Sequence, residues 1–260
     1  MSVERIASLL ASGTEIVFGL GLGDRLVAVS HECDHPPEVA SRPRVTFANV
    51  NSAATSRQID DQVRAMCGRG EPLYGIDAEV LVELRPEVIV TQAQCDVCAV
   101  RYEDVLAMVA REPGLNASQV VPLNPTRLEH VFSDIETVAA ACGATEAGTR
   151  YVAALRERVE AVAERVRTND SSANRVRVAC LEWLDPPMLA ANWMPDLIEP
   201  AGGRCELTRA GAHSGYANWE EVRQFDPEAI VLMPCGFDLT RTLRESPTVE
   251  RLPGWGKLTA

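Results

Sequence analysis

Short apolar runs rich in β-branched residues alternate along the chain with amphipathic segments of helical period. The runs "EVIV" (87–90) and "EAIV" (228–231) are typical of parallel strands that are buried on both faces. Between them an apolar stripe predicts one long helix of roughly 23 residues, about 35 Å in length, and "NDSSAN" (169–174) supplies turn formers at its end. The stripe has spacings of 4, 4, 3 and 4 and consists of Tyr151, Leu155, Val159, Val162 and Val166.

One pattern occurs twice in the chain. The segments "AEVLVELRPEVIVTQAQC" (78–95) and "WEEVRQFDPEAIVLMPC" (219–235) each combine a short amphipathic helix, a Pro-Glu turn and a buried strand. Glu79 and Glu220 each stand seven residues before the proline of their segment, and each segment ends on a cysteine. The repeat predicts an α/β fold with two similar halves.

The predicted fold class is two Rossmann-like lobes with central parallel sheets, joined by a single long backbone helix, with a ligand cleft between the lobes. The predicted divisions are an N-terminal α/β lobe at 1–125, a connecting segment with the long helix at 126–172, and a C-terminal α/β lobe at 173–260.

Charge and hydropathy exclude some classes of partner. The formal net charge is −12, and no Lys/Arg-rich run reverses it locally, so nucleic acid is not an expected partner. No apolar stretch approaches the roughly 18 residues of a membrane span, so the chain is not expected to be embedded in a membrane. The N-terminus shows no basic signal region, which predicts a cytoplasmic protein; a leader already removed would instead place it in the periplasm or outside the cell.

The chemically unusual stretches follow predicted strands, where open parallel sheets bind their ligands. The loops "SHECDHPP", "TQAQCDVCAV" and "MPCGF" carry four cysteines, which are candidate ligands of zinc or an iron–sulfur cluster: Cys33, Cys95, Cys98 and Cys235. Packing as small hydrophobic residues is an equally weighted alternative for these cysteines. A thioredoxin-like redox role for Cys95 and Cys98 is a further, weaker one.

A second group of candidates suits a large planar ligand. The stretch "EWLDPPMLAANW" (182–193) is predicted to be an irregular loop, and it holds tryptophan and methionine side chains, which are flat, stiff or polarisable. Core packing is the alternative interpretation. Together with the loop residues, the expected ligand-binding set is His31, Cys33, Gln94, Cys95, Trp183, Met188, Trp193, His213, Tyr216 and Cys235. No nucleophile elbow, P-loop or paired acid and base is found in the sequence, so an enzyme is not expected.

Several of these segments resemble one family. The stretch "IASLLASGTEIVFGLGLGDRLVAVSHECDHPPEV" and the two repeated segments are similar to the helical-backbone (class III) substrate-binding proteins of ABC importers, in the cobalamin and iron-siderophore branch. The resemblance covers nearly the whole chain and implies a metal-chelate ligand. It also implies docking of Glu79 and Glu220 on an ABC permease, against the alternative that both are solvated helix-start carboxylates.

The sequence departs from this family pattern in three respects: no leader is visible, the loops are rich in cysteine, and the chain ends at Ala260, where relatives usually continue. The departures imply an incomplete C-terminal lobe and leave two functional hypotheses. The first is a substrate-binding protein that holds cobalamin or a related metal-chelate for delivery to an ABC transporter. The second is a cytosolic metalloprotein or redox protein that binds an iron–sulfur cluster or zinc through the loop cysteines.

Overall fold

A computed structural model describes residues 3–169 and 175–260. The chain divides into two compact units. The first unit contains residues 1–52, 62–124 and 130–154, and the second contains residues 53–61, 125–129 and 155–260. The predicted boundaries near 125 and 172 stay a prediction, and residues 170–174, where the turn after the long helix was expected, lie outside the described residues.

The strands of the first unit are β1 (Ile6–Ser8), β2 (Leu26–Val29), β3 (Thr46–Ala48), β4 (Tyr74–Ile76), β5 (Val88–Gln92) and β6 (Gln119–Leu123). Four of them form a parallel sheet of the order β2-β1-β5-β6. Every residue of β1 and β5 is buried, as expected for central strands covered on both faces. A short antiparallel pair, β3 with β4, lies outside this sheet.

Helices follow the strands of this first half of the chain. They are α1 (Ala11–Gly19), α2 (Ser56–Gly68), α3 (Ala78–Leu84), α4 (Tyr102–Arg111) and α5 (Leu128–Ala141). Leu81 of α3, Ile89 of β5 and Val105 of α4 share one buried core, so the helices cover the apolar strands that the sequence predicts. Gly21 has a φ of +74° just after α1 ends, the left-handed conformation that glycine adopts without strain.

The strands of the second unit are β7 (Val176–Leu184), β8 (Pro187–Leu189), β9 (Gly203–Arg204), β10 (Gly215–Tyr216) and β11 (Ala229–Leu232), and its helices are α7 (Met194–Ile198), α8 (Trp219–Phe225), α9 (Leu239–Glu245) and α10 (Pro247–Glu250). The strands form a mixed sheet of the order β10-β8-β7-β11, with β9 also paired to β7. β11 and β9 pair with β7 in parallel, whereas β8 and β10 add an antiparallel hairpin and edge. The stretch "EWLDPPMLAANW" is therefore largely strand and tight turn, not the irregular loop that the sequence predicts.

The long predicted helix is confirmed as α6 (Thr145–Asn169), which has 25 residues. Its residues up to 154 belong to the first unit and those from 155 onward to the second, and α2 and α5 are likewise divided between the two units. Within the first unit, Tyr151 of α6 packs against Gly19 of α1 so closely that a Cβ at Gly19 would lie 2.3 Å from the ring. None of the described helices is long and apolar enough to cross a membrane.

The repeat is also present in the backbone. Helices α3 and α8 each have seven residues, begin after a side-chain cap from Asp77 or Asn218, and end on a left-handed residue before the proline. In the first unit, the Glu87 carboxylate accepts hydrogen bonds from the backbone N–H of Glu4 (2.8 Å) and of Arg5 (2.9 Å). In the second unit, the Glu228 carboxylate accepts from the backbone N–H of Arg177 at 3.0 Å. The Pro-Glu turn thus fastens the start of the neighbouring parallel strand in both units.

We predict that replacing Glu87 with glutamine lowers the free energy of unfolding of the first unit, and that the loss is greatest at neutral pH. The backbone N–H groups of Glu4 and Arg5 lower the pKa of Glu87, so its stabilising contribution is present above the unfolded pKa near 4.5 and is lost as pH falls through the lower folded pKa. The free energy of unfolding measured in urea should therefore be lower for E87Q than for wild type at pH 7, and the two values should converge in acid. E83Q, an exposed change one turn earlier, is the control; an E87Q deficit that stays constant down to pH 3 would contradict the prediction.

Candidate functional site

The loop after β5 is organised by Gln92, the last residue of that strand. Gln92 is buried, and its Nε2 donates to the carbonyl oxygens of Cys95 (2.6 Å) and Val100 (3.3 Å). Its Oε1 accepts from the backbone N–H of Gln94 and of Cys95, both at 2.8 Å. One amide side chain thereby satisfies four backbone groups, which fixes the shape of the loop. From the sequence Gln92 looks like an ordinary polar residue at a strand end, so this role was missed.

The two cysteines of this loop lie against one another. The Cys98 thiol donates to Cys95 Sγ at 2.9 Å. This hydrogen bond, with smaller contributions from the backbone N–H groups of Val97 and Cys98, lowers the pKa of Cys95 to about 6 against the opposing effect of burial. Tyr74 Oη also donates to the Val97 carbonyl at 3.1 Å and holds the tip of the loop. Cys95 is therefore poised as a thiolate near neutral pH.

His31 and Cys33, on the loop after β2, are tied into the first unit. The His31 Nδ1 lies 2.7 Å from Thr46 Oγ1, and its Nε2 lies 3.2 Å from the Glu32 carboxylate. Cys33 is buried, its thiol lies 3.1 Å from Thr14 Oγ1, and burial raises its pKa. Its chemistry differs from that of Cys95, because the protein stabilises a thiol here rather than a thiolate.

Three of the predicted ligand residues form one row in the second unit. Trp183 of β7 pairs directly with Met188 of β8, and Met188 pairs with Tyr216 of β10. Directly paired residues place their side chains on the same face of a sheet. The hairpin turn at 185–186 therefore creates a stripe of two aromatic rings and a thioether. The sequence predicts these residues, but not the strand pairing that aligns them.

The polar atoms of this row bind the segment 53–61 of the same unit. Trp183 Nε1 donates to the Ser56 carbonyl at 3.2 Å, and Tyr216 Oη donates to the buried Asp60 carboxylate at 2.6 Å. Arg57 pairs with Asp185 in the hairpin turn. The start of α2 is thereby fastened to the row. These contacts join residues more than 120 positions apart in sequence, with separations of 127 for Trp183 and 156 for Tyr216.

Phe237 and Arg241 extend the row and were not predicted. The Phe237 ring lies 5.2 Å from that of Trp183, centroid to centroid, and the Arg241 guanidinium lies 3.5 Å above the Phe237 centroid. Arg241 also donates to the Ala54 carbonyl at 2.7 Å and pairs with Glu245. This stack of guanidinium on ring on ring is a cation–π arrangement that keeps the aromatic surface in place.

The other predicted residues of the second unit lie around its loops. Trp193 is half-buried at the start of α7, where it occupies the cap position. His213 and Cys235 are exposed, and the Cys235 backbone N–H donates to the Glu182 carbonyl at 3.2 Å, next to Trp183. Burial raises the pKa of the Glu182 carboxyl, and a hydrogen bond from Ser214 opposes that rise.

The described residues offer no ready metal centre. In residues 3–169 and 175–260, no group of three or more His, Cys, Asp or Glu side chains is placed to hold a metal ion. Cys142 and Cys180 are buried, and burial raises the pKa of each thiol to about 11, as expected for cysteines that pack as small hydrophobic residues. The hypothesis of zinc or an iron–sulfur cluster on the loop cysteines gains no support from this part of the chain.

Glu79 and Glu220 occupy the same position in the two repeats. Each is exposed and is the second residue of its seven-residue helix. Glu220 accepts from Arg223 Nη1 at 2.6 Å and from Gln224 Nε2 at 3.2 Å. Glu79 makes no such pair with the described side chains. The two carboxylates thus occupy equivalent positions on their helices, but among the described residues only the charge of Glu220 is partly neutralised by a neighbouring arginine.

Comparisons with known proteins place the chain in a family. A family model described as periplasmic binding protein matches residues 6–260. The vitamin B12-binding protein of Vibrio campbellii is 22% identical over 237 residues, which cover 87% of this chain and 70% of that protein. An ABC transporter substrate-binding lipoprotein of Bacillus subtilis is 21% identical over 258 residues, which cover 99% of this chain and 69% of that protein.

Solved structures have the same fold. The crystal structure of a periplasmic heme-binding protein from Pseudomonas aeruginosa matches with a TM-score of 0.67 at 18% identity, over 96% of this chain and 80% of that one. At this identity the likeness concerns the fold alone. It confirms the predicted architecture of two α/β lobes with a long connecting helix, and the family match identifies a binding protein rather than an enzyme.

We predict that replacing Gln92 with methionine loosens the loop after β5. The variant removes four hydrogen bonds from a buried position and leaves backbone groups unpaired, so we expect a loss of about 1–3 kcal/mol in the free energy of unfolding. Amide hydrogen exchange at Gln94 and Cys95 should rise by at least about tenfold, which corresponds to roughly 1.4 kcal/mol of local opening. Q119M, at the exposed start of β6, is the control. Unchanged amide hydrogen exchange in Q92M would show that the loop after β5 keeps its conformation without the Gln92 side chain.

Proposed function

The chain belongs to the periplasmic binding protein family, and from that premise we propose that it binds cobalamin or a related metal-containing macrocycle and delivers it to an ABC transporter permease. The observation that carries the ligand class is the row of Trp183, Met188 and Tyr216 on one sheet face. Flat rings and a polarisable thioether suit the face of a large planar ligand better than they suit a small polar solute.

The second unit provides the firmest support for this ligand surface. Tyr216 has 54% of its surface exposed, although its hydroxyl is held by Asp60, so the ring is positioned and still accessible. The Phe237 and Arg241 stack limits the freedom of the Trp183 ring. Rings fixed before binding lose little conformational entropy when the ligand arrives. Exposed His213 and Cys235, with half-buried Trp193, are proposed as further contacts to the macrocycle or its metal.

In the first unit, the loops after β2 and β5 supply the proposed contacts to the ligand's polar groups. Gln94 and Cys95 lie on the loop held by Gln92, and His31 is fixed by Thr46. Cys33 stands beside His31, buried under the same loop. Loops at the carboxyl ends of parallel strands are where such sheets bind ligands. The vitamin B12-binding relative and the heme-binding fold neighbour make cobalamin the first ligand to test and haem the second.

Delivery is proposed to use Glu79 and Glu220. Two exposed carboxylates at matching positions of the repeat suit recognition by basic pockets of a permease that has its own twofold repetition. The ABC transporter substrate-binding relative supports this role. The proposal places the protein on the periplasmic or extracellular side of the membrane, where an importer collects its cargo.

The proposed ligand is tested by titration. Purified protein titrated with cyanocobalamin should show saturable binding at one site, with a Kd at or below about 1 μM, followed by tryptophan fluorescence and the absorption of the corrinoid. Haemin and a ferric hydroxamate chelate are titrated in parallel. Binding of haemin or the chelate without cobalamin would move the proposal to that ligand, and binding of none of the three would overturn it.

A pair of variants at one position separates ring contact from structural support. Y216F and Y216A both lose the hydrogen bond to Asp60, but only Y216A loses the ring. We expect Y216A to bind cobalamin at least about tenfold more weakly than Y216F, a difference of roughly 1.4 kcal/mol. Equal affinities of the two variants would show that the Tyr216 ring does not contact the ligand.

The next prediction concerns docking. E79Q and E220Q should leave cobalamin affinity unchanged and reduce cobalamin uptake into proteoliposomes that carry the host's cobalamin ABC importer. E79Q should have the larger effect, because Arg223 already neutralises part of the Glu220 charge. E83Q and E221Q, on the same two helices, are the controls. Uptake reduced equally by all four variants would indicate a general charge effect and would contradict docking through these two residues.

A further inference from the structure

Ligand delivery gives Cys95 a proposed contact with the ligand, but it does not account for the contact between the Cys95 and Cys98 sulfur atoms. The two sulfur atoms lie 2.9 Å apart, the Cys98 side chain is exposed, and Cys95 is half-buried beneath it. Three of the other cysteines, Cys33, Cys142 and Cys180, are buried, and Cys205 packs against the core cluster that contains Cys180. Two thiols in contact on an accessible loop suit thiol–disulfide exchange, in which one thiolate attacks a disulfide and the second thiol can resolve the mixed disulfide.

We propose that Cys95 and Cys98 form a thiol–disulfide exchange site that reacts with small disulfides of the glutathione class. The proposal does not rest on the identity of the ligand, for which Cys95 is also a proposed contact. Its geometric basis is the loop itself: Gln92 holds the Cys95 backbone at both its N–H and its carbonyl, and Tyr74 holds Val97 between the two cysteines. The loop therefore keeps both sulfur atoms together before any reaction occurs.

The direction of the hydrogen bond assigns different roles to the two cysteines. Cys98 donates its proton toward Cys95, so Cys95 is the thiolate and the attacking sulfur. The backbone N–H groups of Val97 and Cys98 donate to the same sulfur, and together these contacts lower its pKa to about 6. The exposed Cys98 is the resolving thiol.

The reaction balances in two steps. The Cys95 thiolate attacks one sulfur of oxidised glutathione, which forms a Cys95–glutathione mixed disulfide and releases the first glutathione thiolate. Cys98 then loses its proton to that thiolate and attacks Cys95 Sγ, which forms the Cys95–Cys98 disulfide and releases the second glutathione thiolate, protonated by solvent. One protein dithiol is oxidised, and one glutathione disulfide is reduced to two thiols.

Cys95 is expected to attack oxidised glutathione only slightly faster than an ordinary cysteine does. The products of the reaction therefore test the proposal better than its rate. At pH 7 a thiol of pKa 6 is mostly thiolate, but its nucleophilicity is lower than that of a thiol with a pKa near 8.5. The net gain in the first step is therefore only about two- to threefold. The second step is intramolecular between sulfur atoms already in contact, so the mixed disulfide should not accumulate in the wild-type protein.

The experiment uses the reduced full chain and oxidised glutathione under anaerobic conditions, with peptide mass spectrometry of the quenched and alkylated protein. Wild type should yield a Cys95–Cys98 disulfide and two glutathione thiols per chain. C98S should stop at the Cys95–glutathione adduct, and C95S should form no intramolecular disulfide. C67S, which removes an exposed thiol on α2, should behave as wild type.

Two results would overturn the proposal. One is a wild-type protein whose Cys95 stays alkylatable while Cys67 acquires glutathione. The other is a wild-type protein that accumulates the Cys95 adduct as C98S does. Circular dichroism melting of each variant shows whether it is folded, and the wild-type products alone decide the proposal if a variant is not. Cobalamin binding does not enter the readout, so the exchange site and the proposed ligand succeed or fail separately.

Discussion

The loop after β5 and the row of Trp183, Met188 and Tyr216 both depend on a glutamate carboxylate at the amino end of a strand. Glu87 and Glu228 accept backbone hydrogen bonds from the start of the neighbouring parallel strand and fix its register, Ile6 opposite Val88 in one unit and Val178 opposite Ala229 in the other. In a parallel sheet, register at one end determines which residues emerge at the other. The Gln92 loop and the Trp183 hairpin are therefore positioned by contacts made at the opposite ends of their strands.

Local sequence patterns predicted the long helix and the repeated helix–turn–strand units of this protein. The stripe from Tyr151 to Val166 lies within α6, and the two Pro-Glu segments became matching helix–turn–strand units. These features depend on residues within a few positions of one another, which is the range that periodicity and turn chemistry report. The start of α1 shows the limit of such signals. Ser12 and Glu15 have the spacing of a capping box, yet α1 begins after Leu10 with no side-chain cap, so Ser12 lies inside the helix.

The candidate site was only partly predictable, because its residues meet through distant pairing. Trp183 and Tyr216 were chosen for their chemistry, but their hydrogen bonds to Ser56 and Asp60 span more than half the chain in the second case. The hairpin was not predicted because proline is rare inside strands. Pro187 is tolerated here because it is the first residue of β8. No local signal marks Gln92 as the centre of a loop, because a glutamine ends many strands. Burial and convergent backbone groups identify it, and both require the folded chain.

The eight cysteines show why composition cannot settle chemistry. Burial raises the pKa of Cys33, Cys142 and Cys180, so those thiols pack and stay protonated. One hydrogen bond from a neighbouring thiol, supported by turn N–H groups, lowers the pKa of Cys95 instead. The same residue type is thus driven in opposite directions by desolvation and by hydrogen bonding to the charged form. Cysteine-rich loops in a binding-protein fold need not hold metal, because a pair of thiols held in contact already has a chemistry of its own.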